Sequence, residues 1–300
     1  MSTNCAFNLE LDNKVLIKSI SHMEPWVIPT VKAGTQVFKH RNEIQNLWDK
    51  FISLFSSKTR IAVTGMPGVG KTVLFDYISE KAYGRNYTRP LTSQQEEKEV
   101  IKLEGKNLEF IVVPGQQQNP RIKAETNLID KKPPDGVIHL FANGYASVRD
   151  PIAKNALIEN GIDTIEKIRQ QNLLLELEDL EKTCNLVSRI YNKHNKPMWI
   201  AFVANKVDLY ADSKQLREAQ NKYTTNVHSA NNSQIVNKIE SLVNQIGKNN
   251  IRWQSFYTCS RIEAFEWNNE RHMTTLVDEN QRDEMLKEFL TSIISYCQNQ

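Results

Sequence analysis

Between Arg60 and Thr72 the chain reads RIAVTGMPGVGKT, whose residue types and spacing suit one task, holding a polyphosphate. Gly65, Gly70, Lys71 and Thr72 fall in the order G-x-x-x-x-G-K-T, with Gly68 and Val69 inside the turn. Glycines let the backbone curl until successive N–H groups face phosphate oxygens, and a helix that follows turns its positive end to the same charge. A lysine in the place of Lys71 pairs with the β- and γ-phosphates, and a hydroxyl in the place of Thr72 ligates Mg²⁺. Such a loop must stand between a strand and a helix. The run Ile61, Ala62, Val63 and Thr64 predicts the strand, and Val73, Leu74, Tyr77 and Ile78 recur at helical spacing after it.

A second group, Asn205-Lys206-Val207-Asp208, would choose the base. It follows directly on the apolar run Met198 to Ala204, at the carboxyl edge of a sheet, where open α/β folds bind ligands. A carboxylate at Asp208 can accept hydrogen bonds from both N1–H and the 2-amino group of guanine. Adenine offers neither donor and would leave a buried acceptor unpaired, which rejects it strongly. Thr258-Cys259-Ser260, after a short strand expected over Trp253 to Tyr257, would present backbone N–H groups to the guanine carbonyl.

The elements that must position these groups alternate. Beyond the strands already named, Val100 to Leu103 and Leu108 to Val112 flank Glu104-Gly105-Lys106-Asn107 as a hairpin, and Gly136 to Phe141 is a further apolar strand. Helical spacing recurs over His40 to Phe55, over Leu173 to Val187, over residues 213 to 248, and from about Arg282 to the last turns. Pro151 to Gln170 reads as extra helix or an insertion. The expected class is α/β: a mostly parallel sheet with one antiparallel edge strand and helices on both faces. Residues 1–57 read as an N-terminal extension, a hairpin or partner arm plus an amphipathic helix, ahead of one nucleotide-binding domain over residues 58–300.

In sequence order, GMPGVGKT, a polar loop, a hairpin, VVPGQ, NKVD and TCS resemble the Ras/Arf-like small GTPases across roughly residues 58 to 300. The resemblance implies GTP and GDP as ligands with Mg²⁺. It implies a nucleotide site of Gly65, Gly68, Val69, Gly70, Lys71, Thr72, Gly115, Asn205, Lys206, Asp208, Cys259 and Ser260. It further implies that Gln116 orients the attacking water, and that Thr92 (with Thr88 and Ser93 as alternatives) joins Thr72 at the metal. Lys71, Thr92 and Gln116 would then carry the chemistry. One departure stands out. The family's D-x-x-G pattern, counted back from Gly115, places Val112 where a metal-supporting aspartate belongs, and loss of such a carboxylate weakens metal affinity about 10–100-fold. Arg60, Arg85, Arg89 and Arg121 are arginines that could act in cis on transition-state charge, with Arg89 the first to test.

Composition narrows the classes. A hydrophobic share of 40%, a charged share of 24% and a net charge of +3 describe an ordinary globular chain, with no basic stripe for nucleic acid. Cys5, Cys184, Cys259 and Cys297 form no C-x-x-C pair, no run has the length of a membrane span, and polar residues occupy the start where a secretory signal needs an apolar core. A cytoplasmic GTP-binding switch that hydrolyses GTP is the leading expectation, with a protein effector or regulator as partner. A GTP-binding scaffold with little turnover and an NTP-dependent assembly module are the alternatives.

Overall fold

The computed structural model describes residues 37–53, 60–83, 102–103, 106–107, 109–114, 118–131, 133–210, 233–274 and 278–298, with a few positions between 214 and 223. The stretches read over residues 5–36, the polar loop with Thr88, Arg89, Thr92 and Ser93, and Gly115 with Gln116 lie outside the described residues.

In chain order the elements are α1 (Val37–Ser53), β1 (Arg60–Thr64), α2 (Lys71–Tyr83), β2 (Lys102–Leu103), β3 (Lys106–Asn107), β4 (Glu109–Val112), α3 (Gln118–Asp130) and β5 (Gly136–Phe141). There follow α4 (Pro151–Glu159), α5 (Ile165–His194), β6 (Met198–Ala204), a single 3-10 turn (Val207–Leu209), α6 (Gln234–Ile246), β7 (Ile251–Tyr257), β8 (Phe265–Trp267), β9 (Glu270–His272) and α7 (Glu279–Gln298). Five strands form one sheet in the order β4-β1-β5-β6-β7, every neighbouring pair parallel. The expected α/β architecture is present. Antiparallel pairing joins β2 to β3, just ahead of β4, and β8 to β9.

Alternation within the strands splits the core between two helical layers. Ile61, Val63, Ile138, Leu140, Ala201 and Val203 join a cluster with Ile44 and Trp48 of α1, Leu74 and Phe75 of α2, and Phe289 and Ile293 of α7. The intervening residues face the other layer, where Thr64 and the fully buried His139 meet Thr183 of α5 through the His139 Nδ1, at 2.9 and 3.1 Å. Burial holds the His139 imidazole down at about 4, so it is neutral at physiological pH. Trp199 lies across Gly136, where a Cβ would come within 2.0 Å of the indole.

Helix α5 departs from its sequence pattern. The leucine spacing predicts an apolar buried face through Leu173, Leu174, Leu177, Leu180 and Val187. Leu180 and Val187 are buried, but Leu174 is 60% exposed, and Asn172, Glu176, Asp179 and Thr183 are buried instead. Those positions recur at helical spacing and form a polar line on the inner side of the helix. Asn172, Glu176 and Thr183 satisfy groups of β5 and of the segment that follows it, and Asp179 pairs with Arg121 of α3.

Candidate functional site

The parallel sheet brings the ends of β1, β5, β6 and β7 to one edge. Thr64 is opposite His139, and Ala204 is opposite both Phe141 and Tyr257. Four connections leave from that edge, and together they build the site.

The first is the glycine loop. Gly65, Gly68 and Gly70 have φ of 131°, 77° and 97°, a region closed to most side chains. A Cβ on Gly65 would lie 2.7 Å from the Leu140 carbonyl oxygen, and one on Gly70 would lie 2.5 Å from the Asn205 amide nitrogen. The Val69 side chain is buried, and its carbonyl accepts from Asn205 Nδ2 at 2.9 Å. Helix α2 starts at Lys71, whose ammonium donates back to the Gly65 and Met66 carbonyls at 2.5 and 3.0 Å. Thr72 follows in the first turn, so the helix's free N–H groups and the curled loop converge on one place.

The third and fourth connections, after β6 and β7, interlock. Asn205 Oδ1 accepts from Ser260 N–H at 3.2 Å, Ser260 Oγ at 2.9 Å and Thr258 Oγ1 at 3.2 Å. Asn205 therefore ties the glycine loop to the segment after β7. Lys206 has φ 60°, and its ammonium donates to the Tyr145 carbonyl and Ser147 Oγ at 2.7 and 2.9 Å. Burial, with the nearby Arg149 charge, holds that ammonium down at about 8, against the pull of Asp208. Asp208 is itself fully buried, accepting from Cys259 Sγ at 3.3 Å and Glu263 N–H at 3.1 Å. Burial outweighs these donors and pushes its carboxyl up to about 6.

The second connection, residues 142–150, carries no motif that marks it as part of the site. Glu176 accepts from the Ala142 and Gly144 N–H groups at 2.9 and 3.1 Å, and Asn172 Nδ2 donates to the Gly144 and Ala146 carbonyls at 2.8 and 3.0 Å. Asp150 caps α4 through the Ile152 N–H at 3.0 Å. The β8–β9 hairpin braces the same segment: Tyr145 stacks on His272 with ring centroids 5.1 Å apart and meets Phe265 edge-on at 5.5 Å, while Trp267 Nε1 donates to the Ile162 carbonyl between α4 and α5 at 2.9 Å. Neither Tyr145 nor this hairpin carries a sequence pattern that would have marked it.

Between these walls lies a cleft of about 720 Å³ whose lining includes Gly68, Gly70, Ser147, Arg149, Asp208 and Ser260. It brings the glycine loop and Asp208 to a single cavity, with Asn205 and Lys206 along it. Two of the arginines considered from sequence are elsewhere. Arg60 begins β1, about 13 Å along the strand from the loop. Arg121 is buried in an ion pair with Asp179 and a second with Glu125. The arginines that do line the cleft are Arg149, Arg261 and Arg271, of which Arg149 belongs to the segment that touches the glycine loop.

Comparison with known proteins agrees with this geometry. A family model described as "50S ribosome-binding GTPase" matches residues 60–238, more than half of the chain. The chain belongs to this GTPase family. No curated protein sequence matches it. Among solved structures, similar folds include a signal recognition particle receptor SRb-GTP/SRX complex from Chaetomium thermophilum (11% identity, 79% of this chain, 99% of that chain, TM-score 0.39). The Sar1 small COPII coat GTPase of Encephalitozoon cuniculi in complex with GDP matches at 13% identity over 86% of this chain and 90% of its own, TM-score 0.36. Toc33 of Arabidopsis thaliana in complex with GDP and Mg²⁺ matches at 11% identity over 88% and 97%, TM-score 0.42.

For Mg²⁺ the place that the family pattern gives to an aspartate is held by Val112. Val112 is buried in the cluster with Val63, Phe75 and Phe110, an apolar environment in which a carboxylate would be costly. Among the described residues, no three His, Cys, Asp or Glu side chains gather as a metal site. Among the described residues, the Thr72 hydroxyl in the first turn of α2 could hold such a metal, whose other positions would fall to nucleotide phosphate oxygens and water. Among the described residues, no helix is long and apolar enough to cross a membrane.

Proposed function

We propose that this chain is a cytoplasmic guanine-nucleotide switch that hydrolyses GTP to GDP slowly when alone. One observation carries the reading: a single cleft has the glycine loop on its wall and the buried Asp208 carboxylate in the same lining. Asp208 would accept from guanine N1–H and the 2-amino group, Asn205 would keep the two loops in register, and Cys259 and Ser260 would border the base. Lys71 would leave its loop carbonyls for the β- and γ-phosphates, while backbone N–H groups from Gly68 to Thr72 would surround them. Bound Mg²⁺ supplies charge neutralisation on those phosphates, with Thr72 and Thr92 as its protein ligands. Gly115 would contact the γ-phosphate and Gln116 would orient the attacking water; a protein effector or regulator would read the resulting state.

Val112 supports a second reading, a GTP-binding scaffold with little turnover, because the carboxylate that steadies the metal is replaced by a methyl-bearing side chain. One experiment separates them. GTP, GDP and ATP affinities and GTP turnover are measured for wild type, Gln116→Ala and Val112→Asp. The switch reading expects guanine nucleotides to bind far better than ATP, with turnover lost in Gln116→Ala; Val112→Asp places a carboxylate in an apolar cluster and should cost stability, so its turnover is read on folded protein, where a gain shows that the missing carboxylate had been limiting. Tight GTP binding with no turnover in any variant establishes the scaffold. Equal affinity for ATP overturns the assignment of Asp208.

A further inference from the structure

Residues 142–150 are held more firmly than a connection between a strand and a helix requires. Two N–H groups and two carbonyls are taken up by Glu176 and Asn172, a third carbonyl by Lys206, and a fourth, Asn143, by Arg169 Nε at 3.2 Å. The segment then touches the glycine loop itself: Ser147 N–H donates to the Gly68 carbonyl at 3.1 Å. Two residues of chain reach at most about 7 Å, so Arg149 starts close to that contact. Its side chain lines the cleft beside Gly68 and Gly70, and its charge contributes to lowering Lys206. The other cations of the cleft belong to other elements: Lys154 of α4 lies over the Trp267 ring at 5.6 Å, Lys206 is bonded to Tyr145 and Ser147, Arg261 lies 3.7 Å from Glu263, and Arg271 lies 3.4 Å from Glu266.

We propose that Arg149 is a phosphate-binding residue, presented in cis by this braced segment to the phosphates of the bound nucleotide. The inference rests on the guanine-nucleotide reading above. A guanidinium stays charged at any physiological pH, and its planar donors match phosphate oxygens in pairs. A fixed cation here offsets part of what Val112 removes on the metal side, so nucleotide binding would depend less on Mg²⁺ than a carboxylate-supported site does.

The test compares GDP, GTP and guanosine, each by displacement of a fluorescent GDP, on the full chain as wild type, Arg149→Ala and Arg149→Lys, in Mg²⁺ and in EDTA. Charged hydrogen bonds of this kind predict about a tenfold or greater loss of GDP and GTP affinity in Arg149→Ala, partly restored in Arg149→Lys. Guanosine, which has no phosphate, should bind all variants alike, and the Ala deficit should be larger in EDTA. Unchanged GDP affinity overturns the proposal, as does an equal loss for guanosine, which would make Arg149 a support for the base pocket. Arg149→Gln, neutral but similar in length, repeats the comparison if the Ala variant loses thermal stability. A wild-type chain that binds no guanine nucleotide fails earlier and sinks the function reading together with this one.

Discussion

Two loops leave the same sheet edge and face the same cleft, yet they are shaped by different means. Gly65–Thr72 is shaped from within: three glycines with positive φ produce the curl, and the helix begins where the loop ends. Residues 142–150 are shaped from outside, by side chains of α5 that lie 26 to 34 residues further along the chain. A loop of the first kind writes its conformation into local residue types. One of the second kind borrows it from a distant helix and can hold almost any sequence. The two meet at Gly68, and there the contrast can be tested most severely.

A Cβ at Gly68 would stand 2.1 Å from the Ser147 carbonyl oxygen, with φ at 77°. Backbone strain alone costs about 1–2 kcal/mol, and the overlap with backbone forces one loop off the other. Gly68→Val should therefore cost roughly 4 kcal/mol in denaturant unfolding and remove measurable GDP binding. Gly161→Val is the matched control. Its φ is 83°, but a Cβ there meets nothing within 4 Å, so only the strain of about 1–2 kcal/mol is expected. Equal costs for the two would mean that the loops are not in firm contact.

Glu176→Ala attacks the borrowed conformation without touching the glycine loop. It strands the Ala142 and Gly144 N–H groups and removes the partner of Tyr223 OH, which donates to Glu176 at 3.1 Å. Unsatisfied buried donors cost about 1–3 kcal/mol each, so a loss near 3 kcal/mol is expected. Hydrogen exchange should report it unevenly: the amides of Ala142 and Gly144 lose protection, while those of Val69 and Gly70 keep theirs in the GDP-bound protein. If protection falls equally in both loops, the two are one cooperative unit and the contrast drawn between them fails.

The same contrast explains what could be read from residue order. The G-x-x-x-x-G-K-T spacing and Asn205-Lys206-Val207-Asp208 are local, and hydrophobic periodicity marks Ile61–Thr64, Gly136–Phe141 and Met198–Ala204 because buried parallel strands are apolar throughout. Periodicity is blind to α5, where leucines suggested the inner face and Asn172, Glu176, Asp179 and Thr183 occupy it. Polar side chains that satisfy backbone leave no apolar rhythm. The β8–β9 hairpin escaped for a related reason: Phe265-Glu266-Trp267 alternates over only three residues and Glu270-Arg271-His272 not at all, and its value lies in Phe265, Trp267 and His272 packing on Tyr145 and α5. Arg149 could not be singled out among several arginines until the segment was placed in space.

The smallest effect concerns Asp208, which belongs to a loop readable from sequence but whose charge is set by burial. Its carboxyl stands at about 6 in the folded chain, above the unfolded value near 3.8. The folded state thus holds a proton more tightly than the unfolded state between those values, and stability from this group rises as pH falls through 6 and declines as pH rises. Guanine recognition runs the other way, since only the ionised carboxylate accepts both guanine donors. Acidifying from pH 7 to 5 should therefore weaken GDP binding about tenfold while adding about 1.4 kcal/mol to the stability of the nucleotide-free chain. Asp208→Asn should abolish both pH responses, because an amide does not titrate and its oxygen still accepts from Glu263 N–H. Other groups titrate over the same interval, so the difference between wild type and Asp208→Asn is the quantity to measure. If affinity and stability move in the same direction in that difference, Asp208 is ionised by its surroundings rather than held back by burial, and the base-binding loop is shaped from outside as much as residues 142–150 are.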